Sequence, residues 1–356
     1  MAKVIVGMSG GVDSAVAAYL LKKDGHEVTG VTLRTWQAED GSESRCCDID
    51  DARRVANVLG IKYVPVNCTL DFQKYVVDPF TNDYLRGMTP NPCVVCNRYV
   101  KWDKLLYYAK ALGAEYVATG HYAYIKKLEN GRFTVKKAKY SQKDQTYMLY
   151  RLTQEQLAST LMPLGGLSKS EVRSIAENAG LPVASKPDSQ EICFVADGGY
   201  ADFIESAAGP DAVKEGDFVG EDGNVLGRHK GIIHYTVGQR KGLGIALGRP
   251  AYVKEIRAET NEVVLGGESS LYRGEIVCGD LNFLSIPGLT PGEKLECTVK
   301  IRYQHAGQTA VIEAMENGLA RIVFSEPVRA ATPGQSAVFY DKDECVIGGG
   351  VISGIK

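Results

Sequence analysis

The stretch "VIVGMSGGVDSA", residues 4–15, constrains the fold more than any other. An apolar run ends at Gly7, glycines recur at Gly10 and Gly11, and a helix-forming segment comes next. Glycine lets bare backbone amides approach an anion, and the helix behind them turns its positive end toward the same point. The common phosphate loop, G-x-x-x-x-G-K-[ST], carries a lysine for the β/γ phosphates. Here Gly11 is followed by Val12-Asp13-Ser14, with no lysine. Ser9 and Ser14 add hydroxyl donors, and Asp13 sets a negative charge beside the phosphates, which suits a metal ion or another donor. Such a loop fits a leaving pyrophosphate better than a travelling γ-phosphoryl. The plainer alternative is a tight turn whose serine and aspartate only cap a helix.

Strand and helix patterns alternate along the first half of the chain. Strands are expected at 3–7, 27–33, 62–66 and 116–119, with helices at 14–23, 50–59, 100–112, 153–160 and 168–179. Ser168 and Glu171 form a capping-box pattern, and Gly180 then Pro182 end that helix. Strands separated by helices imply parallel βαβ units and an open α/β sheet. After about residue 207 the texture becomes short strands and close turns, with a hairpin signal at Glu259-Thr260-Asn261. The expected organisation is an α/β unit over 1–207, a small β-rich unit over 208–277 and a β-barrel over 278–356. Net charge is −2, so no overall basic field advertises nucleic acid, and local basic faces must carry any such role. Lys136-Lys137-Ala138-Lys139 and Arg228-His229-Lys230 are two such segments. No apolar run approaches a membrane span, which with the strand-like start predicts a soluble cytoplasmic protein without membrane association.

Nine cysteines, an odd number in a long chain, argue against a disulfide scaffold. Cys93 and Cys96 stand out, because the prolines of Thr89-Pro90-Asn91-Pro92 delay the helix until just before them. Cys96 then lies in the first helical turns, where the dipole and nearby Arg98 and Lys101 favour a thiolate. A lone C-x-x-C is equally compatible with a metal half-site or two core thiols. Cys193 follows a polar loop and precedes Phe194-Val195.

Together these segments resemble the tRNA-specific 2-thiouridylase family (MnmA/TrmU), within the PP-loop ATP pyrophosphatases. The resemblance spans essentially the whole chain. It rests on Ser9-Gly10-Gly11-Val12-Asp13-Ser14, Asn91-Pro92 with Cys96-Asn97, and Ala118-Thr119-Gly120-His121-Tyr122. It continues through Lys143-Asp144-Gln145, residues 189–194 and residues 238–244. Cys93 stands where some members carry aspartate.

The resemblance implies a PP-loop (adenine nucleotide alpha hydrolase-like) domain, a central β-rich domain and a C-terminal barrel that binds tRNA. It implies ATP-dependent 2-thiolation of the wobble uridine, through an adenylated uracil, with release of pyrophosphate and AMP. ATP would be bound by Gly7, Met8, Ser9, Gly10, Gly11, Val12, Asp13, Ser14, Leu33 and Gly120, with Mg2+ as companion. Cys96 would be the nucleophile and Cys193 the persulfide carrier, and a Cys96–Cys193 disulfide would close on one of two routes. Asn91, Pro92 and Cys93 would touch the target base. His121, Lys143, Asp144, Gln145, Arg302, Tyr303 and Gln335 would touch the tRNA. A cysteine desulfurase or relay protein would donate sulfur. A [4Fe–4S] cluster on Cys93, Cys96 and Cys193 is the competing mechanism, and another PP-loop activity the competing function.

Overall fold

The computed structural model describes residues 1–37, 47–188, 192–195, 199–209 and 211–355. Strand β1 (Lys3–Gly7) leads through the glycine loop into α1 (Val12–Lys23). Then come β2 (Glu27–Arg34), α2 (Ile49–Leu59) and β3 (Lys62–Asn67). Next is a helical run that the sequence pattern did not announce, with α3 (Thr69–Phe72), a π-helical turn (Gln73–Val77) and α4 (Asp78–Leu85). Pro79 hides it: the ring is tolerated because it sits in the first turn of α4. The expected helix at 100–112 begins earlier, as α5 (Pro92–Cys96), a π-helical stretch (Asn97–Trp102) and α6 (Asp103–Leu112). The unit continues with β4 (Tyr116–Ala118), the hairpin β5 (Ala123–Lys127) and β6 (Phe133–Lys137), α7 (Gln154–Ala158), β7 (Thr160–Leu161) and α8 (Lys169–Asn178). Capping boxes open both α7, from Thr153 and Gln156, and α8, from Ser168 and Glu171.

The main sheet runs β3-β2-β1-β4-β7, all parallel. Strand order reverses at β1, so the crevice beyond the carboxyl ends of β1 and β4 is the topological switch point, where open α/β sheets bind ligands.

Helix α9 (Tyr200–Ala208) leads to the second sheet, ordered β10-β11-β8-β9, from β8 (Gly216–Val219), β9 (Val225–His229), β10 (Tyr252–Arg257) and β11 (Glu262–Gly266). The hairpin read at residues 259–261 joins β10 to β11. The last unit is a closed barrel of β12 (Tyr272–Phe283), β13 (Lys294–Lys300), β14 (Gln308–Ala314), β15 (Ala320–Arg329), β16 (Ser336–Tyr340) and β17 (Val346–Ile355). Cys278 lies inside β12.

A common apolar seam joins the three units, beside separate clusters inside the α/β unit and inside the barrel. A single hydrophobic cluster contains Ile5, Val31 and Trp102 of the first, Phe218, Val253 and Leu265 of the second, and Leu284, Val338 and Val346 of the barrel. Polar bonds run along the same seam. Arg132 donates to the carbonyls of Leu284 (2.8 Å) and Phe283 (3.0 Å), and Tyr147 Oη to that of Ser336 (2.8 Å). Asn282 donates to the carbonyl of Tyr150 (2.6 Å).

Shared burial predicts shared unfolding. Both tryptophans, Trp36 and Trp102, report on the α/β unit alone. Val338→Asp, which buries an unpaired charge in β16, should lower the urea midpoint seen by tryptophan fluorescence as much as that seen by far-UV circular dichroism. A barrel transition that leaves the fluorescence midpoint in place would show independent units.

Candidate active site

The glycine loop sits at the switch point. Gly10 has φ +76°, and a Cβ there would lie 2.6 Å from the Asp48 backbone oxygen. No side chain caps α1 at Gly11, so its first amides face the crevice. Ser9 and Ser14 are locked together: the Ser9 amide donates to Ser14 Oγ (3.1 Å), and Ser14 Oγ donates to the Gly11 carbonyl (3.1 Å). From β4, the segment Thr119-Gly120-His121 closes the other wall. A Cβ on Gly120 would come within 2.7 Å of the Asp13 carbonyl carbon and the Ser14 nitrogen, so only glycine permits this approach. Bare amides, hydroxyls and a helix N-terminus suit the polyphosphate of a nucleotide. Leu33 is buried at the end of β2.

The positive charge missing from the loop comes from elsewhere. Lys169, first residue of α8, donates to both Asp13 oxygens (2.7 and 2.9 Å) and reaches Asp188 Oδ1 (2.7 Å). Tyr122 Oη also donates to Asp13 (2.7 Å). Asp188 further receives Lys143 (2.9 Å) and Arg173 (3.0 Å). Burial pushes the Asp188 carboxyl up, but Lys169 and Lys143 outweigh it and hold it below the usual aspartate range. Lys186 bridges Asp48 (2.7 Å) and Asp51 (2.6 Å) next door. The sequence pattern picked out Lys143 but not Lys169, Arg173, Lys186 or Asp188. The sequence showed that Asp13 suits a metal ion or another donor, and nothing in the spacing pointed to Lys169.

Asn91 caps α5, its side chain accepting from the Cys93 amide (3.2 Å). Cys93 is exposed, Pro92 and Cys96 are buried, and Asn97 donates to the Met148 carbonyl (3.0 Å). Of residues 185–198, positions 189–191 and 196–198 lie outside the described residues, as does Cys46. Phe194 beside Cys193 packs against Trp36, Phe72, Phe80 and Phe203, with ring centroids 5.1 to 6.3 Å apart. That aromatic nest belongs to the core cluster that holds Cys96, with Cys193 packed against it. Burial pushes the Cys68 thiol up to about 11 and Cys297 to about 12, and raises Cys278 and Cys345. Among the described residues no three His, Cys, Asp or Glu side chains are grouped to hold a metal, so Cys93, Cys96 and Cys193 do not form a ready cluster ligand set.

His121 joins the two halves of the site. Its ring lies 5.4 Å from that of Trp102, six residues on from Cys96, and its Nδ1 is 2.8 Å from Thr119 Oγ1. Burial, with the Lys101 charge second, pushes its pKa from 6.5 down to about 3. Asp144 is buried, accepting from the Ala138 amide (3.1 Å) and Thr146 Oγ1 (2.7 Å). Gln145 accepts from the Tyr122 amide (2.9 Å). Tyr303 is half-buried with its ring 6.3 Å from Tyr147, and Arg302 donates to the Arg329 carbonyl (3.3 Å). His229, in one of the basic segments, is buried, and its Nδ1 accepts from the Gly231 amide. Gln335 donates to the Thr89 carbonyl (2.8 Å), while the Thr89 amide donates to the Pro333 carbonyl (2.8 Å). A barrel turn therefore holds the loop that leads into Asn91-Pro92-Cys93.

A parallel sheet with a lysine-free glycine loop at its switch point, and a cysteine helix beside it, defines a PP-loop nucleotide-binding α/β protein carrying two β units. Family models described as "tRNA methyl transferase HUP domain", "tRNA methyl transferase PRC-barrel domain" and "Aminomethyltransferase beta-barrel domain" match residues 2–197, 201–267 and 273–352. The tRNA-specific 2-thiouridylase MnmA of Lachnoclostridium phytofermentans is 54% identical, covering 99% of both chains. That of Acetivibrio thermocellus is 53% identical over 98% of this chain and 99% of its own. That of Clostridium perfringens is 50% identical over 99% of each. The chain belongs to the tRNA-specific 2-thiouridylase family.

Burying a neutral histidine has a pH signature. Between pH 6.5 and 3 the unfolded chain protonates His121 and the folded chain does not, so stability drops as the pH is lowered through that window. His121→Asn, which keeps a partner for Thr119, should flatten the slope of unfolding free energy against pH near 5 by up to about 1.4 kcal/mol per unit. Denaturant titrations at several pH values read this, and an unchanged slope would show that His121 is protonated in the folded chain.

Proposed function

We propose that this tRNA-thiolating enzyme activates the C2 carbonyl of the wobble uridine with ATP and replaces its oxygen by sulfur carried on Cys193. Two of the family-model descriptions speak of methyl transfer, whereas the full-length relatives are named for thiolation. The site supports the second. One observation carries the proposal: Thr119-Gly120-His121 touches the start of α1 through Gly120 and the cysteine helix through the Trp102 ring. A nucleotide at the loop and a base at Cys96 would then share one crevice.

A uracil carbonyl is a weak electrophile with a poor leaving group. Its oxygen attacks the α-phosphorus of ATP, pyrophosphate leaves, and the O-adenylated C2 can lose AMP. ATP is consumed and is therefore a substrate; Mg2+ would balance its charge. In one route the terminal persulfide sulfur on Cys193 attacks C2 and AMP departs. The Cys96 thiolate then attacks Cys193 Sγ, leaving sulfur on C2 and closing a Cys96–Cys193 disulfide. In the other, Cys96 attacks Cys193 Sγ first and releases hydrosulfide, which attacks C2. Both consume one persulfide and need a two-electron reductant to reopen the disulfide. No step is routed through an iron–sulfur cluster. Asn91, Pro92 and Cys93 would face the target base, which must leave its stack. Arg302, Tyr303, Lys143 and His121 would meet the tRNA. Asp144, Gln145 and Gln335 hold protein segments, and we assign their contribution to tRNA binding to positioning. A cysteine desulfurase or relay protein would load Cys193.

Unmodified tRNA, ATP, a sulfur source and a reductant should yield 2-thiouridine by nucleoside mass spectrometry. Cys96→Ser and Cys193→Ser should each abolish it, while Cys278→Ser and Cys345→Ser, whose thiols burial keeps protonated, should not. Thiolation at wild-type rate by Cys193→Ser would overturn the sulfur route. Arg302→Ala should weaken tRNA binding and shrink the slope of log K against log salt by about one unit. An unchanged slope would remove Arg302 from the phosphate contacts.

A further inference from the structure

An aspartate inside a polyphosphate loop repels its own ligand unless a cation accompanies it. Asp13 has that cation in Lys169, bonded to both carboxylate oxygens from the first residue of α8. Three facts separate this lysine from its neighbours. Among the described residues it is the cation bonded to a loop side chain, whereas Lys186 is committed to Asp48 and Asp51, and Arg173 also to the backbone carbonyls of Ala184 and Lys186. Its other partner, Asp188, is half-buried and already matched by Lys143 and Arg173, so Lys169 can turn away without leaving that carboxylate unpaired. Its anchorage is firm, because the Ser168–Glu171 capping box fixes the first turn of α8 against α1.

We propose that Lys169 is the phosphate-facing lysine this loop lacks, delivered from α8, and that it contacts the β and γ phosphates of ATP and then the departing pyrophosphate. This rests on the ATP-dependent chemistry proposed above. With no nucleotide, the ammonium stays between Asp13 and Asp188. With ATP, it turns to the phosphates while Asp13 keeps the Tyr122 hydroxyl and can meet the companion metal ion. Pyrophosphate is a better leaving group when a fixed cation meets the charge that develops on it.

Calorimetric titration of the full chain with ATP, AMP and inorganic pyrophosphate, at fixed magnesium, tests this. Lys169→Met should weaken ATP and pyrophosphate about ten- to a hundredfold, as expected for a charge-assisted hydrogen bond, and leave AMP within about twofold. Lys169→Arg, which keeps the charge and the helix start, should recover part of the ATP affinity. Circular dichroism confirms the fold of each variant, and the Arg variant carries the test if the Met variant does not fold. If ATP and AMP weaken together, Lys169 only staples α1 to α8 and the proposal fails. If neither weakens, it also fails. A separate control protects the distinction: wild-type enzyme that releases no pyrophosphate with ATP and tRNA would overturn the adenylation chemistry itself.

Discussion

The crevice at β1 sets where everything else must lie. Strands to either side of β1 are reached by crossovers in opposite directions, so the carboxyl ends of β1 and β4 part and leave a slot. A helix that opens there without a side-chain cap presents unpaired amides, which a buried site cannot leave unmatched without loss of stability. The surrounding residues shape the slot around those amides and leave them to an anion. Gly120 lets the β4 loop come against the start of α1, the serines tie the loop to the helix, and a ring of acids and bases from α2, α8 and the segment before Cys193 balances the charge.

The same ring links parts of the chain that lie far apart in sequence. Asp188 stands five residues before Cys193 and is held by cations from two different elements, one of which also holds Asp13. Phe194 then secures the other side of Cys193 in a nest of aromatic rings. Ion pairs hold the chain at Asp188 against the nucleotide loop, and aromatic packing holds it at Phe194.

Local signals in the sequence were reliable where the physics is local. The β1–loop–α1 unit, the Ser168–Glu171 capping box and the 259–261 hairpin each depend on a few neighbouring residues, and each is where the pattern put it. Helices α3 and α4 do not show in the pattern because Pro79 reads as a breaker, and the β5–β6 hairpin does not because β6 takes its place against β17 of the barrel. Loop residues such as Ser9 and Asp13 were legible from their motif. Lys169 was not, since its pairing with Asp13 spans a 156-residue separation that only the fold closes. Asp144 and Gln335 look like surface recognition residues in sequence. The first is buried, and the second grips backbone.

Gln335 grips Thr89 from a turn that is itself held by the last strand, through the Gly334 amide to the Ile352 carbonyl and the Ile352 amide to the Gln335 carbonyl. The chain emerges from the ribosome amino end first. The glycine loop, Cys96 and Cys193 are thus synthesised well before the strand that anchors the loop at Thr89. Until β17 closes the barrel, the turn that grips Thr89 lacks its own anchor. The order of synthesis makes β17 the strand that completes this anchorage.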